Sequence, residues 1–112
     1  MNSVQLIGRL TADPTLKTVG ERVVCEMRIA VDRGPAKGTD FINVHAWGKV
    51  AETCAKHLTK GRLVGIDGRL RQEQWTTEAG NRERVIVVAG QVRFLDRLKT
   101  ITPEEREELA VA

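Results

Sequence analysis

The hydrophobic period of this 112-residue chain changes twice, from two to nearly four and back to two. Residues Val4–Leu10 alternate well enough for a first strand, and Asp13-Pro14 then marks a turn, because proline fixes its own φ and biases its predecessor away from helix. Thr15–Val19 resumes the strand after that break. In Arg22–Asp32, Val23, Cys25, Met27, Ile29 and Val31 share one face, with Glu26, Arg28 and Ala30 on the other. Asp40–Trp47 alternates again, setting Ile42, Val44 and Ala46 against Phe41, Asn43, His45 and Trp47. From Lys49 the spacing becomes helical, with Val50, Cys54 and Leu58 in an i, i+4, i+8 stripe beside Ala51. Gly61 stands where a C-cap glycine belongs, and Lys56 and Lys60 suit the negative end of the helix dipole. Val64, Ile66, Gly68 and Leu70 restore the alternation, and Ala79-Gly80-Asn81 turns the chain into a fifth strand, roughly Arg82–Asp96.

This order, three strands, a helix and two strands, predicts an all-β fold, a five-stranded Greek-key barrel of the oligonucleotide-binding (OB) type with one helix between strands 3 and 4. Thr102-Pro103-Glu104-Glu105 carries a helix-start signature of cap, proline and glutamate, so a short C-terminal helix is expected. The expected division is a barrel domain over residues 1–98 and a short acidic tail over 99–112.

Bulk chemistry removes several function classes. No apolar span approaches the roughly 20 residues of a membrane helix, and Met1–Gln5 does not start a signal peptide, so a cytoplasmic location is expected. Cys25 and Cys54 are too few for a disulfide framework. His57 follows Cys54 by three residues, but no further ligand spacing completes a metal site. No phosphate loop, GxSxG or HExxH motif is present. No cofactor is expected, and the chain does not read as an enzyme.

Charge is more informative by its distribution. Four glutamates against one arginine give Pro103–Ala112 a charge of −3, which leaves +6 on the preceding residues out of a total of +3. A basic body suggests a polyanionic partner. Single strands need cations along the phosphates and aromatic faces for unstacked bases. The chain has four aromatic residues, Phe41, Trp47, Trp75 and Phe94. Phe94 reads as core, whereas the other three fall on faces away from it. Phe41 and Trp47 lie on one side of a strand, about 20 Å apart at ~3.3 Å per residue. Basic residues accompany them: Arg28, Arg33, Lys37, Lys49, Lys60, Arg69 and Arg71. These ten residues form the expected nucleic-acid-binding set, and none is expected to be catalytic.

The same residues resemble a family. Val4–Leu10 followed by Ala12-Asp13-Pro14 resembles the opening of bacterial single-stranded DNA-binding proteins; Phe41 through Trp47-Gly48-Lys49-Val50-Ala51-Glu52 and Lys60–Arg71 followed by Trp75 resemble their third and fourth strands. The resemblance covers most of residues 1–96. It implies sequence-independent binding and protection of single-stranded DNA in replication, recombination and repair, with Phe41, Trp47 and Trp75 as stacking positions and Lys49, Lys60 and Arg71 along the backbone. It also implies a homotetramer, with a dimer as the alternative. Three features depart from the family pattern. Arg33–Thr39 has no aromatic, Ile42 and Asn43 replace polar and basic positions, and a long linker with an acidic recruiting tip is missing, so tail-mediated recruitment of repair proteins is not expected. The alternative function is that of a primosome-type OB dimer, which binds DNA weakly and bridges replication-restart proteins.

Overall fold

The structure, a computed structural model, describes residues 1–96. The expected C-terminal helix lies outside the described residues, as does the expected boundary at residue 98. Within them the elements run β1 (Val4–Leu10), β2 (Thr15–Val19), β3 (Arg22–Asp32), β4 (Thr39–Trp47), α1 (Gly48–His57), β5 (Leu63–Thr77) and β6 (Gly80–Phe94). The described residues are thus mostly β, with one helix, directly after β4.

Strands neighbour one another in the order β1-β5-β6-β4-β3-β2, and an additional β1–β3 pairing brings the sheet back onto itself. Among the described residues every strand pairing is antiparallel except β4–β6. The expected first strand is two strands because the break at Asp13-Pro14 is longer than a simple bend. β1 meets β3 at Arg9↔Ala30 and Leu10↔Ile29, and β2 continues along the same β3 edge from Thr15↔Glu26 to Val19↔Arg22.

The inward residues of the alternating segments form the core, where Leu10, Cys25, Met27, Ile29, Val44, Ala46, Val64, Ile66, Val87 and Ala89 are buried with Ala51, Cys54 and Leu58 of the helical stripe. The helix therefore packs its one apolar edge against the barrel. It ends earlier than its spacing suggests: Leu58 is already extended at the C-cap, and its N–H donates to Cys54 O. Gly61 belongs instead to the following turn, where the Arg62 N–H donates to Thr59 O at 3.2 Å and Gly61 takes a φ of +91°. A tight turn before β5 needs that left-handed backbone, which glycine adopts without steric cost.

Both cysteines are buried. Burial pushes the Cys54 thiol up to about 12 and raises that of Cys25 as well. Both stay protonated at neutral pH and act as small core hydrophobes. His57 is exposed, with its ring 6.1 Å from that of Phe94. No helix among the described residues is long and apolar enough to cross a membrane.

Candidate nucleic-acid interface

Strand β4 turns Phe41, Asn43, His45 and Trp47 away from the core, and the register fixes their neighbours on β3. Phe41 lies opposite Ala30, Asn43 opposite Arg28, His45 opposite Glu26 and Trp47 opposite Val24. Directly opposed residues in a ladder point to the same side of the sheet, so these eight share one outer surface. Arginines reach the rings diagonally: Cζ of Arg28 lies 4.6 Å from the Phe41 ring centroid and Cζ of Arg22 lies 4.5 Å from that of Trp47. Trp47 closes the strand because Gly48, at φ +64°, turns the chain straight into the helix. The Trp47 Nε1 donor is buried with no partner among the described residues.

The parallel pairing His45↔Val88 carries this surface onto β6. From there the antiparallel register Arg69↔Val88, Arg71↔Ile86, Glu73↔Arg84 and Trp75↔Arg82 carries it along β5. At 15 residues each, β5 and β6 form an arm about 50 Å long at ~3.3 Å per residue. Near its tip, Gln74, Trp75, Thr76, Asn81, Arg82 and Glu83 line a groove of about 500 Å³. Arg84 Nε donates to Glu73 Oε1 at 2.8 Å while its Cζ stands 5.9 Å from the Trp75 centroid.

The floor of this surface is apolar. Val24, Ile86 and Val88 are only 4%, 1% and 5% exposed, although the register puts them outside the barrel. Phe41 and Trp75 rise above that level at 53% and 46% exposure. Such a surface offers ring faces between cations over a dry base, the combination that holds unstacked bases and their phosphates.

His45 is sunk in the same floor, 6% exposed, with Nε2 3.4 Å from Glu26 Oε2. Burial lowers its pKa below the ordinary 6.5, against the pull of Glu73 and Glu26. Glu26 is itself held below the usual 4.5, chiefly by its hydrogen bond from Lys17, whose Nζ is 2.6 Å away. A histidine with a depressed folded pKa binds its proton more readily in the unfolded chain. Its contribution to stability is therefore complete above 6.5 and declines as the pH falls below that value. The Glu26 contribution has the same sign but is lost only below 4.5. Between about pH 7.5 and 5.5 the urea midpoint is expected to fall, and His45→Gln to flatten that fall. An equally steep fall in the variant would remove His45 as its cause.

A family described as the single-strand binding protein family matches residues 1–95. The chain belongs to the single-strand binding protein family. Among curated relatives, the single-stranded DNA-binding protein of Caldanaerobacter subterraneus subsp. tengcongensis is 41% identical, over 97% of this chain and 80% of that protein. The protein of that name from Thermotoga maritima is also 41% identical, over 96% of this chain and 82% of its own length. That of Clostridium tetani is 46% identical, over 86% of this chain and 71% of its own. The family is one of DNA-binding proteins without enzymatic activity, and it implies the OB fold.

Of the residues expected from the sequence, Arg28, Phe41, Trp47, Arg69, Arg71 and Trp75 lie together on the surface that this single-strand binding family member presents. Lys49 stands just beyond Trp47 in the first turn of α1, lining a smaller groove of about 220 Å³ with Gly90 and Phe94. Arg33 is held by Asp40, with Nη2 2.6 Å from Oδ1, and Lys37 is exposed in the same loop. Lys60 lies in the turn between α1 and β5. Its backbone N–H donates to Asp13 Oδ1 at 2.8 Å, and the neighbouring Gly61 N–H donates to Leu10 O at the end of β1.

Sequence reasoning did not single out Arg22 or the His45–Glu26 pair. Arg22 begins a strand next to a turn, where an arginine is ordinarily only solvated. Its place over Trp47 depends on the β3–β4 register, which alternation within one strand does not define.

Proposed function

We propose that this protein binds single-stranded DNA without sequence preference across the outer surface of β3, β4, β6 and β5, and so protects single strands in replication, recombination and repair. The observation that carries this reading is the shared surface itself: Phe41, Trp47 and Trp75 rise from one face of the sheet among Arg22, Arg28, Arg69 and Arg71. The rings take bases, and the guanidinium groups and Lys49 follow the phosphates. The closed strand order, with its helix between β4 and β5, supports an OB barrel as the frame. Ring faces discriminate little between bases, which accounts for sequence tolerance.

Assembly into a homotetramer accompanies this reading. Ile7 and Leu95, 62% and 45% exposed, flank Gly65 in an apolar groove of about 500 Å³ across β1, β5 and the end of β6. That surface lies beyond the opposite end of β5 from Trp75, so copies meeting there leave the aromatic surface open.

A competition experiment tests the reading. A long oligo-thymidine is expected to bind tightly at low salt, with log affinity falling by about 0.7 per phosphate contact for each tenfold rise in salt. Duplex DNA of equal length is expected to compete poorly, because paired bases cannot reach the rings. Equal competition by duplex would reduce the interface to a basic patch.

A further inference from the structure

Several arginines of the described residues are held by carboxylates. Arg33 is paired with Asp40, Arg84 with Glu73, and Arg9 and Arg62 with Asp96. Arg22 and Arg28 have no carboxylate partner among the described residues. Both are exposed, and each instead lays its guanidinium over an aromatic ring, 4.5 Å from the Trp47 centroid and 4.6 Å from that of Phe41. Each thus covers a face on which a base would stack.

We propose that Arg22 and Arg28 are exchange cations: each caps its ring in the free protein and moves to a phosphate when a base takes the ring. This inference rests on the single-strand reading above and adds to it which groups move. At an exposed site a cation–π contact is weaker than the stacking of a base, so the base displaces the guanidinium. The displaced group is not stranded. A stacked nucleotide brings its phosphate to the rim of the same ring, and arginine engages phosphate by paired hydrogen bonds. No backbone movement is needed, because both arginines reach their rings diagonally across the ladder and swing on their own side-chain torsions.

The caps also serve the unbound state. They shield two apolar ring faces that would otherwise invite contact with other apolar surfaces, and they keep two cations close to where phosphates arrive. Carboxylate-paired Arg84 and Arg33 differ in kind, since each must break an ion pair before meeting DNA.

Two oligo-thymidines of equal length separate exchange from a fixed stack, one with the natural phosphodiester backbone and one with an uncharged methylphosphonate backbone. The variants are Arg22→Gln, Arg28→Gln and the double substitution, each checked for an unchanged thermal midpoint. With phosphodiester, exchange predicts weaker binding and a salt slope smaller by about 0.7 per arginine removed. With methylphosphonate it predicts tighter binding by the variants than by wild type, because the rings are already uncovered and no phosphate contact is lost. Parallel weakening of both oligomers would mean that the guanidinium stays on the ring as part of the stack, and would overturn exchange. So would variants that match wild type on both. Failure of wild type to bind the phosphodiester oligomer is a separate result, and it would remove the single-strand reading itself.

Discussion

Replacing Phe41 and Trp75 together by alanine is expected to weaken oligo-thymidine binding by about 2–6 kcal/mol, a loss of roughly thirtyfold or more. Each base stacked on an aromatic side chain contributes about 1–3 kcal/mol, and the two rings stand on different strands without a shared partner, so their losses should nearly add. Both side chains are about half exposed, at 53% and 46%, so their removal opens no cavity in the core. The urea midpoint should hardly move while affinity collapses. Trp47→Ala would be a less clean test, since Trp47 is half-buried beside Val24 and its removal also uncovers apolar floor. If the double variant retained wild-type affinity, the aromatic residues would have to be assigned to packing alone.

Gly68→Ala is expected to be among the most destabilising single-methyl additions in the chain. A Cβ at position 68 would run into Val88 O, and it would lie 2.9 Å from Val88 C and 3.0 Å from Ala89 Cα. All three are backbone atoms of the adjoining strand, so no side-chain rotation relieves the clash. The site is also where the β5–β6 register shifts, between Asp67 and Gly68, and that shift sets which residues of the arm face outward. Overpacking of this kind typically costs about 1–3 kcal/mol and occasionally more. With a typical slope of about 1–3 kcal/mol per molar urea, the midpoint should fall by about 1 M. DNA affinity should fall too, because Arg69, Arg71 and Trp75 take their positions from the ladder beyond the bulge. A variant with an unchanged midpoint would show that the strands can separate there at no cost.

Much of this architecture was legible in the sequence, for a physical reason. A sheet buried on one side writes a period of two into its residues, and a helix seated by one edge writes a period near four. Val23 to Val31 and Val50 to Leu58 are such records, and Cys25, Met27, Ile29, Val44, Ala46, Val64 and Ile66, which the alternation selects, lie in the core, whereas Leu70 of the same pattern is 50% exposed on the arm. Where a feature depends on two segments at once, the signal weakens. Val24, Ile86, Val88 and His45 are buried outside the barrel because neighbouring strands meet there, which no single strand's pattern reveals. The helix ends earlier than its spacing predicts because Gly61, a strong terminating signal, serves the turn before β5 instead. The break at Asp13-Pro14 was visible, but not that it lets one segment of chain follow β3 as two strands. For the candidate site, the aromatic residues and Arg28, Arg69 and Arg71 were legible from strand parity. Arg22 was not, and the pairing that occupies Arg33 lies across a loop whose geometry the sequence leaves open.

The central claim is that bases stack on the aromatic residues of this one surface, and tryptophan fluorescence measures it most directly. Trp47→Phe and Trp75→Phe each leave one reporter and preserve a ring at the other site. Titrated with a long oligo-thymidine at low and at higher salt, each is expected to show strong quenching of its remaining tryptophan, saturating together with binding and weakening as salt rises. Tight binding that leaves both tryptophans unquenched would contradict the account, because the DNA would then lie on some other part of the protein.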